Sequence, residues 1–235
     1  MTPRELDWNA DLGEGSPHDG AVMAAVTSVN VACGGHAGDP GLIRRTLELA
    51  KRHGVAVGAH PGYFDREHFG RRELDLPPGE LAAQLQYQLG GLLALARTAG
   101  VAVTYLKPHG ALYHQAGRDP AVARIVAAAA LLNGLGLVGP PGSALQAAAE
   151  SLRIPFAREG FADRGYRPDG TLIPRGEPGE VIADPAAAAA QVTRLAASGS
   201  VDTVCVHGDH PGVAEFVAAV RALLGRPGGG PGQSR

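Results

Sequence analysis

Ser28-Val29-Asn30-Val31-Ala32-Cys33-Gly34-Gly35-His36-Ala37-Gly38-Asp39-Pro40 opens on a short β-branched run, breaks at paired glycines and ends on an Asp-Pro step. Val29 to Ala32 reads as a strand. Asp39 reads as the N-cap of a helix, with Pro40 at its first position, where a missing N–H costs nothing, and Gly54 as its stop after His53. A second apolar run, Val55 to Ala59, follows at once. A strand, a helix and a strand within so few residues form the repeating unit of a parallel sheet covered by helices.

The same alternation runs outward in both directions. Leu6 to Asn9, Val101 to Leu106, Leu135 to Val138, Ile154 to Ala157 and Thr203 to Val206 read as further strands, which makes seven. Gly79 to Ala99, Pro120 to Asn133, Ser143 to Leu152, Pro185 to Ala197 and Gly212 to Leu224 read as helices. Seven such units in 235 residues suit an irregular, TIM-like, seven-stranded parallel (β/α) barrel, with an open doubly wound sheet as the alternative. Neither a linker nor an internal repeat interrupts the pattern, so residues 1–224 are expected to form a single barrel domain and residues 225–235 a flexible Gly/Pro-rich tail. Gly165 to Glu180 is the one long irregular insertion, a candidate lid or binding loop.

Composition narrows the function classes. With 45% apolar residues the chain can bury a sizeable core, and 21 basic against 23 acidic residues leave no basic run suited to a nucleic-acid backbone. Cys33 and Cys205 are too few for a disulfide framework and have no metal-type spacing, so reduced thiols in the cytoplasm are expected. Met1 to Asp7 lacks an apolar signal core, and the greasiest stretch, Ala121 to Leu132, is broken by Arg124; neither export nor a membrane span is expected.

Parallel α/β folds bind ligands at the carboxyl ends of their strands, and those ends collect the reactive side chains here. Strand one leads to Asn9, Asp11 and Glu14, strand two carries Asn30 and leads to Cys33 and His36, and strand three ends at His60. Strand four ends in Lys107-Pro108-His109-Gly110. Strand six leads to Arg158, Glu159, Asp163 and Arg164, and strand seven to His207, Asp209 and His210. Lys107 is one of only two lysines among the 21 basic residues. Arginine would serve where charge alone is needed, whereas a compact ammonium whose pKa moves when desolvated suits a catalytic or oxyanion-holding role. Glycines beside these residues, Gly34, Gly35, Gly58, Gly62 and Gly110 among them, let backbone approach a ligand closely. Gly134-Leu135-Gly136-Leu137-Val138-Gly139 fits a dinucleotide fingerprint only in letters, because its glycines precede and enter the strand; the phosphate-binding loop motif is absent.

Five segments together resemble the LamB/YcsF family: Leu6 to Gly15, Ser28 to Pro40, Gly58 to Tyr63 continuing to Phe69-Gly70-Arg71-Arg72, Tyr105 to Tyr113, and Arg158 to Arg164. Val204 to Asp209 is a weaker sixth. Gly35 stands where an aromatic residue is common in that family. The resemblance implies a barrel of the glycoside hydrolase/deacetylase type and an enzyme that cleaves 5-oxo-L-proline to L-glutamate with hydrolysis of ATP, performed with partner subunits B and C. ATP is then a co-substrate, and Mg is expected to accompany it. Residue chemistry and the likeness together assign catalysis to Asp11, Glu14, His60, Lys107 and His109. Lys107 would hold oxygen or phosphoryl charge, Asp11 or Glu14 would be the base, and His60 or His109 the acid. Substrate binding falls to Asn9, Asn30, His36, Arg158, Glu159, Asp163 and Arg164, with both arginines clamping a carboxylate and the two acids fixing them. No HExxH spacing occurs, so no metal ligand is assigned. The alternatives are a metal-dependent amide or ester hydrolase using Asp11, His36, His60 and His109, and a substrate-binding protein without turnover of its own.

Overall fold

The computed structural model describes residues 6–207 and 212–224. Asp209, His210 and the 225–235 segment lie outside the described residues. Seven parallel strands, β1 (Asp7–Leu12), β2 (Ser28–Ala32), β3 (Ala56–His60), β4 (Val103–Leu106), β5 (Gly136–Gly139), β6 (Phe156–Phe161) and β7 (Thr203–Val206), pair in chain order, and β7 returns to β1 to close the barrel. The helices are α1 (Asp19–Met23), α2 (Pro40–His53), α3 (Pro78–Ala99), α4 (Gly110–Arg118), α5 (Pro120–Leu132), α6 (Ala144–Ser151), α7 (Pro185–Ser198) and α8 (Val213–Leu224). None of the described helices is long and apolar enough to cross a membrane.

Local chemistry explains the helix ends. Asp39 accepts a hydrogen bond from Leu42 N at 2.8 Å, Pro40 starts α2, and Gly54 ends it at φ +66°, a conformation glycine adopts without strain. Asp119, Ser143 and Asp184 cap α5, α6 and α7 in the same way. α1 and α4 have no side-chain cap and are not expected from the sequence.

The two faces of each strand diverge because side chains alternate along it. Trp8, Ala10, Leu12, Val29, Val31, Val57, Ala59, Leu106, Val204 and Val206 point outward into one core shared with Leu47, Leu85, Leu89 and Val126 of the helices. Each fully buried aliphatic of this layer contributes roughly 1.5–3 kcal/mol. The barrel interior is instead a hydrogen-bonded polar column. At its base Thr27, Ser28 and Thr203 all donate to Asp7; higher up, Asn9 Nδ2 donates to Thr203 Oγ1 at 2.8 Å and to Glu159 Oε1 at 3.1 Å. Beside it the Tyr105 ring lies across Gly58, where a Cβ would stand 2.1 Å from the ring, and the β3–β4 register shifts at that step. Only glycine leaves the ring that space.

β6 runs four residues further than the sequence suggests, because polar Arg158 and Glu159 belong to the strand rather than following it. They therefore face opposite sides, and the outcome for Arg158 is a correction. Its guanidinium pairs with Asp202 through Nε–Oδ2 at 2.8 Å and Nη2–Oδ1 at 3.0 Å. Asp202 immediately precedes β7, so this pair sits at the strand-start end, away from the rim where substrate could be held.

Candidate active site

The carboxyl ends of the strands surround a cavity of about 530 Å³ whose walls include Asp11, Glu14, His60, Lys107, His109, Tyr113, Phe161, Arg164 and His207. This volume accommodates a small ligand. Lys107 follows β4 and reaches into the barrel, where its Nζ lies 2.8 Å from Glu159 Oε1, 3.0 Å from Asp11 Oδ1, 3.3 Å from Asn9 Oδ1 and 3.2 Å from Cys205 Sγ. The residue is 2% exposed. Burial opposes its charge, but the surrounding groups, Asp11 foremost, outweigh it and hold the ammonium well above the ordinary lysine value. For Asp11, burial is likewise outweighed by His60 and Lys107, so its carboxyl stays well below the usual range. Asn30 Nδ2 donates to Asp11 Oδ1 and to Asn9 Oδ1, both at 2.7 Å, and fixes the orientation of both.

A second cluster adjoins the first. Glu14 Oε1 is 3.0 Å from His36 Nε2, 3.4 Å from His109 Nδ1 and 3.8 Å from His60 Nε2, and Asp11 Oδ2 is 3.4 Å from the same His60 nitrogen. His60 Nδ1 faces the Lys107 carbonyl at 2.8 Å, His109 Nε2 faces the Phe69 carbonyl at 2.8 Å, and His109 Nδ1 approaches His60 Nε2 at 3.0 Å. His36 stacks on His109 with ring centroids 3.6 Å apart. Burial, despite the Glu14 contact, lowers the His36 pKa to about 4. Burial also lowers His109, whereas His60 is raised because Asp11 outweighs its burial. Glycine backbone makes the stack possible. A Cβ on Gly70 would lie 2.7 Å from His36 Cβ, and one on Gly62 would lie 2.8 Å from His36 Nδ1.

The structure thus brings Asp11, Glu14, His60, Lys107 and His109 to one cavity floor, but it distributes the expected substrate-binding residues differently. Asn9, Asn30, His36 and Glu159 are buried behind that floor, do not line the cavity, and hold the residues that do. Glu159 pairs with Lys107 and not with an arginine. Asp163 also fixes no arginine: its Oδ2 accepts from His207 N at 2.9 Å and its Oδ1 lies 3.1 Å from His207 Nδ1. Arg164 does line the cavity, with its guanidinium donating to the Ile173 carbonyl at 2.7 Å and the Glu180 carbonyl at 3.1 Å.

The Gly165–Glu180 insertion, the candidate lid or binding loop of the sequence, reaches the cavity, and two further features are not assigned from the sequence. The insertion folds back through bridges Arg164–Val181 and Tyr166–Leu172 and lays Leu172, Ile173, Pro174 and Arg175 over the cavity. Arg71, Arg118 and Arg175 join Arg164 around it, and His114, lowered by burial and then by Arg164, Arg118 and Arg175, registers the same concentration of positive charge. Tyr113 and Phe161 form an aromatic wall, edge to face at 6.1 Å. Tyr113 belongs to the quoted Lys107 segment, so a helical reading from Gly110 would have turned it toward the cavity. In place of the aromatic residue common at position 35, the Gln88 amide fills the space above Gly35, bonded to Gly62 N at 3.1 Å and Gly62 O at 2.8 Å.

Comparison with known proteins adds a family to this geometry. A model of the LamB/YcsF family matches residues 6–229. A protein of Symbiobacterium thermophilum, named as the A subunit of 5-oxoprolinase, is 46% identical, with 97% of this chain and 96% of that protein covered. A protein of the same name from Methylococcus capsulatus is also 46% identical, covering 96% of this chain and 94% of its own length. The crystal structure of a lactam utilization protein from Thermus thermophilus superposes with a TM-score of 0.87 at 40% identity, covering 94% of this chain and 96% of that one. A family 4 carbohydrate esterase from Streptomyces lividans, 12% identical with a TM-score of 0.51 over 94% of this chain and 87% of its own, shares the fold alone.

Proposed function

Since the chain belongs to the LamB/YcsF family, we propose that it is the A subunit of an ATP-dependent 5-oxoprolinase, opening 5-oxo-L-proline to L-glutamate together with subunits B and C. The observation that carries this reading is the buried ammonium of Lys107, set between two carboxylates on the floor of a small cavity with arginines around it.

A five-membered lactam resists hydrolysis because its amide is resonance-stabilised and the expelled amine stays tethered beside the carboxyl group. Coupling to ATP overcomes both. Transfer of the γ-phosphoryl group to the lactam oxygen releases ADP and makes the ring carbon electrophilic. Water attacks that carbon, the ring C–N bond breaks as nitrogen takes up a proton, and a second water hydrolyses the resulting acyl phosphate to glutamate and phosphate. Lys107 stabilises charge on the lactam or phosphoryl oxygen. Asp11 or Glu14, beside it, is the base for the attacking water, and His60 or His109 is the source of the proton for nitrogen. Such acid-base roles are each worth about 10²- to 10⁴-fold. Arg164 and Arg175, on the cavity wall, receive the substrate carboxylate. The cytoplasm suits a reaction that consumes ATP, and it suits Cys33 and Cys205, both free and buried.

The test is glutamate release from 5-oxoproline by the full chain, with and without ATP and with and without the two partner proteins. Release is expected only from the complete mixture with ATP. Equal release by the chain alone without ATP, or none from the complete mixture, would overturn the assignment.

A further inference from the structure

We propose that Glu14, His60 and His109 form a divalent metal-ion site on the cavity floor, with His36 holding the Glu14 carboxylate from behind. The inference stands on the donor set and not on the reaction assigned above.

Hydrogen bonding fixes the tautomers first. A carbonyl oxygen only accepts, so His60 Nδ1, 2.8 Å from the Lys107 carbonyl, carries a hydrogen, and so does His109 Nε2, 2.8 Å from the Phe69 carbonyl. In the neutral rings the remaining nitrogens, His60 Nε2 and His109 Nδ1, carry lone pairs and face each other at 3.0 Å. Glu14 Oε1 adds a third electron-rich atom, 3.4 Å from His109 Nδ1 and 3.8 Å from His60 Nε2. Three such atoms converging on one point are held together by a shared proton or by a metal cation. Backbone carbonyls that bind the far nitrogen of each imidazole are the usual outer partners of metal-bound histidine.

Spacing and charge agree. With metal–ligand bonds of about 2.0–2.2 Å, tetrahedral geometry sets neighbouring donors roughly 3.4 Å apart. The observed 3.0, 3.4 and 3.8 Å bracket that separation. Within the joined clusters Asp11, Glu14 and Glu159 bring three carboxylates against the single ammonium of Lys107, an excess of two negative charges that one divalent ion would balance. Glu14, His60 and His109 all line the cavity, whereas His36 does not. Three protein donors with an open side are the arrangement of a catalytic rather than a structural metal site. Imidazole with carboxylate and no thiolate favours Zn²⁺, Co²⁺ or Mn²⁺ over Ca²⁺. The other grouping of donor atoms among the described residues, Asp11, Cys205 and His207, has the Lys107 ammonium in its midst, with Nζ 3.0 Å from the first and 3.2 Å from the second, which disfavours a second cation there.

The experiment titrates the full chain, stripped with a chelator and dialysed, with Zn²⁺ by calorimetry and with Co²⁺ by visible absorption. One equivalent is expected, with a Co²⁺ spectrum of nitrogen and oxygen ligation. His109→Ala should abolish that spectrum. Isosteric Glu14→Gln should weaken affinity strongly while circular dichroism stays native, which covers the case in which His109→Ala does not fold. His36→Ala, the positioning variant, should cost about 10- to 100-fold in affinity and retain one equivalent. Binding well below one equivalent, or binding that survives Glu14→Gln unchanged in a folded protein, overturns the proposal and leaves a shared proton between His60 and His109.

Discussion

Replacing Lys107 with methionine tests the energetics of the site before its chemistry. From sequence alone the variant reads as inactive but normally folded. The structure requires more. Methionine keeps most of the length and apolar bulk of the stem, so the loss is the ammonium itself, which bridges Glu159 at 2.8 Å and Asp11 at 3.0 Å in a residue 2% exposed to solvent. Removing one partner of a buried ion pair leaves its counter-charge unsatisfied and costs roughly 3–5 kcal/mol. For a chain of this size each kcal/mol lowers Tm by about 2–4 °C, so a fall of about 6–20 °C is expected by thermal circular dichroism. Adding Glu159→Gln removes one orphaned charge and should restore part of the loss, giving a coupling of about 1–3 kcal/mol in the double-mutant cycle. The pH dependence follows from two signs. Lys107 is held above its ordinary value, so its contribution is fully present below the ordinary lysine range and is lost only as pH rises through the higher folded value. Asp11 is held below its ordinary value, so its contribution is present above the usual carboxylate range and is lost as pH falls through the lower one. The gap between the wild type and Lys107→Met should therefore be wide at neutral pH and close in acid. A Lys107→Met variant melting within about 2 °C of wild type at neutral pH would refute the ion-pair account, since that shift corresponds to only about 1 kcal/mol or less.

Two further outcomes test separate parts of the structure. Asp163 is buried, but His207 outweighs the burial and keeps its carboxyl below the ordinary range; Asp163→Asn should thus cost about 1.5–3 kcal/mol in urea unfolding near neutral pH and progressively less in acid, and a pH-independent cost would contradict the pairing. Burial pushes the Cys33 thiol up to about 12 and Cys205 well above its usual value, so iodoacetamide at about pH 8 should leave both unmodified by mass spectrometry until the chain is unfolded, and rapid labelling of either would show that the barrel opens.

The elements that can be read directly are those specified by neighbours in sequence. Asp39, Pro40 and Gly54 delimit α2 because capping is a local interaction, and seven strands are countable because their outward faces are continuously apolar. The inward faces mislead wherever polarity reads as the end of a strand. Glu159 is tolerated in mid-strand because Lys107 meets it from across the barrel, a contact no window around β6 contains. Arg158 shows the converse: polarity beside a reactive segment looks functional, yet one step along a strand turns it to the opposite face and to Asp202. The convergence of Asp11, Glu14, His60, Lys107 and His109 is legible because a parallel barrel sends every strand end to one rim. The closeness of Glu14 to His60 and His109 is not, since the metal-ligand alternative of the sequence sets Asp11 and His36 with those two histidines and no spacing distinguishes the carboxylates. Arg175 escapes for a similar reason: it reaches the cavity only because the insertion folds back on its own bridges.

Lys107 enters the site twice, through its ammonium and through the carbonyl that fixes the His60 ring. The first can be exchanged by mutation and the second cannot, since every amino acid keeps its main-chain oxygen. The electrostatics are therefore adjustable at position 107 while the carbonyl that orients the imidazole is retained. A series of side chains at 107 would vary the charge on the cavity floor while the neighbouring ring keeps its aim, which gives protein engineers an unusually clean handle on the field within this pocket.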